Sequence, residues 1–153
     1  MATVYSTQRT NALANPVVNN KTNEIGGRVR IAHGVYEASS LASGDVIEMF
    51  KLPNGARIIS GSLAHDALGG STTLSVGHAA YTDSSGTAVA ADADEFKAAA
   101  ASTSAQKVDI AATLALGSGI EIDANEDGYI VTATMGGAAG TGTIEVTMLY
   151  ALD

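Results

Sequence analysis

Residues 144–152 read IEVTMLYAL, with Ile144, Val146, Met148, Tyr150 and Leu152 at alternate positions. A period of two places every second side chain on one face of a pleated strand, so this stretch reads as a half-buried β-strand. The same pattern recurs upstream. In 107–116, Val108, Ile110, Ala112, Leu114 and Leu116 share one face, and Asp109, Ala111, Thr113 and Ala115 share the other. Val29, Ile31, His33 and Val35 alternate with Arg28, Arg30, Ala32 and Gly34, and this pattern puts one face of the strand on a core. Thr72, Leu74 and Val76 form another short strand, and segments 120–123 and 129–135 bracket a polar turn.

Two further runs, 45–52 (DVIEMFKL) and 56–66 (ARIISGSLAHD), flank Pro53-Asn54-Gly55. Pro and Asn-Gly supply turn dihedrals, so the pair is read as a β-hairpin. In the first run Glu48 shares a face with Val46 and Phe50 unless a bulge intervenes. Asp92-Ala93-Asp94-Glu95 has Asp at the N-cap and Glu three residues on, and it leads into the helix-favouring stretch 96–101. That segment is the predicted site of a single short helix. The glycine-rich segment 136–142 is read as a flexible interstrand loop.

Short strands separated by Gly-rich turns, with almost no helix between them, exclude a parallel α/β sheet. The expected fold is all-β, an antiparallel β-sandwich of jelly-roll-like type with about eight strands. Residues 1–27 differ from the rest: they are rich in Asn and Thr, contain Asn15-Pro16, end in Gly26-Gly27 and show no apolar periodicity. They are expected to form an extended N-terminal arm ahead of a β-sandwich domain at 28–153. The arm carries 2 − 1 = +1 charge and the body 6 − 15 = −9.

A chain of 153 residues fits one core. With 46% hydrophobic residues, two Phe and no Trp, that core must be built mostly from Ala, Val, Ile and Leu. The formal net charge of −8, with only eight scattered Lys and Arg, argues against nucleic acid or an anionic membrane as partner, because phosphate binding needs clustered cations. Zero cysteines remove disulfides, thiolate metal sites and Cys nucleophiles. The first ten residues lack a basic segment followed by an apolar one, and no apolar run approaches the length of a membrane span. A soluble chain that is not exported by a signal peptide is expected.

Asp123-Ala124-Asn125-Glu126-Asp127-Gly128 matches the first half of a calcium loop, in which side-chain oxygens alternate and Gly makes the sharp turn. Asp123, Asn125 and Asp127 are therefore the candidate metal ligands. Thr134 stands where the bidentate Glu would be, and the flanks read as strands, so a polar hairpin turn is the preferred reading. His33, His65 and His78 have no metal-ligand spacing. His65-Asp66 with a Ser could in principle make a triad, but no strained elbow positions a nucleophile. Asp92, Asp94 and Glu95 are explained by helix capping. No catalytic residue and no cofactor are expected.

Taken together, GDVIEMFKLPNGARI (44–58), STTLSVG (71–77), the EFKAAA segment (95–100), the polar arm and the β-rich C-terminus resemble the capsid decoration, or cement, proteins of tailed bacteriophages. That resemblance implies a jelly-roll-like homotrimer on the outer surface of the virion, bound to the major capsid protein, with no site residues to carry over. A tail, fibre or adaptor component of the virion is the alternative within that class. A calcium-dependent carbohydrate-binding module using 123–128 is the alternative outside it.

Overall fold

A computed structural model describes residues 3–152. Met1 and Ala2 of the expected arm, and Asp153 of the expected body, lie outside the described residues. The elements are α1 (Thr7–Leu13), β1 (Arg28–Leu41), β2 (Val46–Leu52), β3 (Arg57–His65), β4 (Thr72–His78), β5 (Tyr81–Thr82), β6 (Ala88–Val89), β7 (Asp92–Ala101), β8 (Gln106–Ile110), β9 (Tyr129–Gly137) and β10 (Gly140–Leu152), with a 3₁₀ turn at Leu114–Leu116. Two four-stranded antiparallel sheets, ordered β1-β10-β3-β8 and β2-β9-β4-β7, face one another, and β5-β6 forms a small separate ribbon. This is jelly-roll order: consecutive long strands alternate between the sheets except at β4 and β7, which are neighbours in one sheet, and the last pairs with the first.

The core follows the alternation. Ile144, Val146 and Met148 of β10 are fully buried, as are Val131, Ala133 and Met135 of β9 and Leu74 and Val76 of β4. Phe96 and Tyr129 are the buried aromatics among mostly aliphatic neighbours. In β2, Ile47 and Leu52 both point inward although they are an odd number of residues apart, which a regular strand forbids. The pairing jumps from Glu48–Thr132 to Phe50–Val131, so Met49 is an extra residue. That bulge settles the register that the position of Glu48 left open, and it leaves Glu48 exposed.

Several expectations are corrected. The runs 45–52 and 56–66 do not pair as a hairpin. β2 bonds to β9, whereas β3 lies between β10 and β8 in the other sheet. Both runs need a buried face, and opposing sheets supply it. The Pro53-Asn54-Gly55 turn therefore carries the chain across the sandwich, where Gly55 N–H donates to the Ile122 carbonyl (2.8 Å) and Asn54 Oδ1 accepts from Ala124 N–H (3.3 Å).

Segment 92–101 is strand β7, not a helix. Its register against β4 slips between Ala100–Leu74, Lys97–Val76 and Asp92–His78, and these irregularities let Phe96 enter the core. Pairing the open edge of β4 and burying Phe96 outweigh a local helix preference of a few tenths of a kcal/mol per residue, to an order of magnitude. The short helix is instead α1, in the arm, capped by Ser6 Oγ accepting from Arg9 N–H (3.3 Å).

The strand expected through Leu116 stops at Ile110, because Ala111 takes φ 51° and its N–H turns to the Phe96 carbonyl (2.9 Å). Segment 120–123, expected as a strand, forms an isolated bridge, Arg57–Glu121, beside the start of β3. The glycine-rich 136–142 is mostly strand, with β9 running to Gly137 and β10 starting at Gly140.

Candidate functional site

In β1 the branched side chains face out. Val29 and Ile31 are each 64% exposed and Val35 57%, whereas Ala32, Gly34 and Ala38 occupy the inner side. The cause is a close approach between sheets. A Cβ on Gly34 would lie 2.6 Å from the Met49 carbonyl oxygen, so only small residues fit between β1 and β2. Period two was legible, but which set faces inward depends on the sheet-to-sheet distance.

Across the same outer face, Ile31 pairs with Leu149 and His33 with Thr147. A bulge in β3, where pairing jumps from Ser60–Leu149 to Ile58–Tyr150, turns Ile59 outward as well. Ile59 and Leu149 are 43% and 37% exposed. Ile31, Ile59 and Leu149 line an open groove of about 590 Å³ together with Ser60, Thr147 and Asp109. At its margin His33 Nδ1 lies 2.9 Å from Thr147 Oγ1 and 3.9 Å from Glu145. A face with this many large apolar side chains is suited to contact with another macromolecule.

The arm is a second such surface. α1 buries none of its residues, and Val4, Tyr5, Leu13, Val17 and Val18 are all exposed. Polar bonds fold the arm back on itself: Asn11 Nδ2 donates to Asn20 Oδ1 (3.0 Å), Asn20 Nδ2 to the Gln8 carbonyl (3.1 Å), and Gln8 Nε2 to Glu24 (3.2 Å). Its root is clasped to the body. Lys21 Nζ meets Glu121 at 2.7 Å, Arg57 bridges Glu121 (2.8 Å) and Glu24 (3.5 Å), and Asn23 Nδ2 donates to the Gly55 carbonyl (2.8 Å). The hydrogen bond from Lys21 is the largest influence holding the Glu121 carboxyl below the usual carboxylate range.

The metal candidates from sequence are engaged in hydrogen bonds, Asp123 across to another loop and Asn125 and Asp127 within the turn. Asp123 Oδ1 accepts from Ser84 N–H (3.3 Å), and Asn125 Oδ1 accepts from Asp127 N–H (3.0 Å) while its Nδ2 donates to the Asp127 carboxylate (3.3 Å). Gly128, at φ 79°, closes the turn to the Asn125 carbonyl (3.0 Å). Thr134 sits inside β9, paired with Val46 and Ser75. Among the described residues no cluster of three His, Asp or Glu gathers in a metal-holding arrangement.

The histidines are dispersed. His33 is on the outer face, His65 Nδ1 contacts the Asp66 carbonyl (2.7 Å), and His78 Nδ1 contacts the Ala79 carbonyl (2.9 Å). The Asp66 carboxylate is turned to Thr143, whose N–H (3.0 Å) holds its pKa down, so it does not orient the His65 ring. His78 packs with Tyr81 and Tyr129 at ring separations of 5.4 and 4.8 Å, and burial raises the pKa of both phenols. Asp92 accepts from Asp94 N–H (3.0 Å) at the irregular start of β7, which lowers its pKa, whereas the side-chain hydrogen bond to Asp92 and the repulsion of that carboxylate raise Asp94. The exposed sheet face was missed by sequence reasoning. Its signal was present in the small residues Ala32, Gly34 and Ala38 opposite the branched ones.

No protein-family model matches the chain, and no curated protein matches it. Solved structures do. A chain of the cyanophage Pam1 capsid asymmetric unit aligns over 100% of both chains with TM-score 0.64 at 20% identity. A chain of the capsid of Ralstonia phage GP4 aligns over 83% of this chain and 86% of its own, with TM-score 0.60 at 26% identity. A chain of the acid-stable capsid of Helicobacter pylori bacteriophage KHP30 covers 81% and 87%, with TM-score 0.51 at 17% identity. In topology and over nearly its whole length, the protein shares its fold with chains of bacteriophage capsid structures.

Proposed function

We propose that the protein decorates the outer surface of a phage capsid and stabilises it by bridging neighbouring major capsid protein subunits as a homo-oligomer, a trimer. The observation that carries this reading is the pairing of a phage-capsid fold with two exposed apolar surfaces, the arm and the outer face of β1-β10-β3. An enzyme needs a pocket that gathers reactive groups. Here the apolar hollow lined by Ile31, Ile59 and Leu149 is an open groove on a sheet, and among the described residues the histidines and carboxylates are spread apart. A decoration protein works by many modest contacts repeated over a lattice, where effective concentration replaces tight single-site binding.

The test uses the phage itself. Particles lacking the protein should release their genome at lower temperature or lower magnesium than complete ones, and added purified protein should restore the threshold. A chain that ignores its own shell and localises to the tail tip, or that binds glycans, would replace this reading with the fibre or lectin alternative.

A further inference from the structure

We infer that the outer face of the β1-β10-β3-β8 sheet receives the N-terminal arm of a second copy, so that copies are joined by reciprocal exchange of arms. The inference rests on the homo-oligomer of the reading above and is independent of the shell.

Two apolar surfaces on one chain are left open, and each has what the other lacks. Val29, Ile31, Val35, Ile59 and Leu149 form a broad face but nothing in their own copy covers them, since all remain more than a third exposed. α1 is seven residues long and buries none of them. A helix that short is not stable in water without a packing surface. The sheet face is such a surface.

The root of the arm decides whether a copy covers itself. Asn23 is bonded to Gly55, and Lys21 and Glu24 are clasped to Glu121 and Arg57, at the end of the sandwich. The chain turns back there. A Cβ on Gly27 would stand 2.7 Å from the Thr22 carbonyl oxygen, so glycine alone permits the close approach. Fastened in this way, the arm leaves Val29 and Ile31 of its own copy open. The apolar end of the face, with Val29 and Ile59, lies at the same end of the sheet as Arg57, where the arm departs. Donor and acceptor surfaces are thus neighbours on each copy, and a rotation that seats one arm can seat all of them and close a ring. Charge agrees: the arm carries 2 − 1 = +1 and the body 6 − 15 = −9, so an arm is attracted to another body.

The test needs no capsid. Light scattering should find the full-length protein oligomeric, and the variant Ile31→Glu/Leu149→Glu monomeric. Its apparent dissociation constant should rise at least about a hundredfold, because two apolar side chains would be lost from the contact and replaced by charges. Both positions are exposed, so far-UV circular dichroism and melting of the monomer should be retained. Because the chain has no cysteine, Val17→Cys and Ile31→Cys can be made in separate full-length chains and mixed with a short bis-maleimide. A covalent dimer in the mixture, absent when either variant is treated alone, supports exchange. A wild-type monomer, an Ile31→Glu/Leu149→Glu oligomer, or a cross-link confined within one chain of the double variant would each overturn it. Capsid binding, measured separately, can fail or succeed without altering these outcomes.

Discussion

Phe96 is the residue on which the reassignment of 92–101 from helix to strand depends, so its truncation is the most direct test of the fold. Its side chain is fully buried, its ring centroid lies 6.1 Å from that of Tyr129, and it packs so closely under the 117–120 turn that a Cβ on Gly117 would stand 2.8 Å from two ring carbons. A buried aromatic removes about 150–250 Å² from water, which at about 25 cal/mol/Å² is roughly 4–6 kcal/mol before the denatured-state correction. Large-to-small substitutions at such sites cost about 3–5 kcal/mol. Phe96→Ala should therefore lower the unfolding free energy by about 3–5 kcal/mol, read by urea titration with an unchanged slope, and lower the melting temperature by roughly 10 °C for a chain of this size. Leu114→Ala is the matched control. Leu114 is 88% exposed, and its loss should stay within about 0.5 kcal/mol. A loss below about 1 kcal/mol for Phe96→Ala would refute the placement of this side chain in the core, and with it the irregular β4-β7 pairing.

Gly34→Ala should destabilise by about 1–3 kcal/mol in the same assay, because its Cβ would meet the Met49 backbone at 2.6 Å and force β1 from β2; a neutral substitution would mean that the sheets are not held so closely there. The folded pKa of Glu121 is lowered, so its contribution is present above the ordinary carboxylate value near 4.3 and is lost as pH falls through the lower folded value. Amide exchange at residues 21–25 should accelerate across that interval, and Glu121→Gln should show fast exchange already at neutral pH; protection that ignores both changes would dissolve the clasp. Chelator should leave melting unchanged, since Asp123 is bonded to Ser84 and Asn125 and Asp127 are bonded to each other, whereas a rise of many degrees in millimolar calcium would assign the turn to a cation.

Period-two alternation in 144–152 and 129–135, Gly-rich turns and the near absence of helix were enough to read an all-β antiparallel sandwich of about eight strands, and the position of Glu48 left the register of β2 open between a regular strand and a bulged one. These readings hold because strand periodicity and bulges are imposed locally by the pleat. The charge difference between residues 1–27 and the rest was equally visible. What only the tertiary structure decided concerns partners distant in sequence. β2 and β3 part into opposing sheets because each finds a buried face there, and 92–101 is a strand because β4 needs an edge partner and the core needs Phe96. β1 turns Val29, Ile31 and Val35 outward because Gly34 must lie against Met49. Alternation states that a strand has two faces, but the distance between the sheets determines which face the core can accept, and that distance set the exposed apolar face of β1.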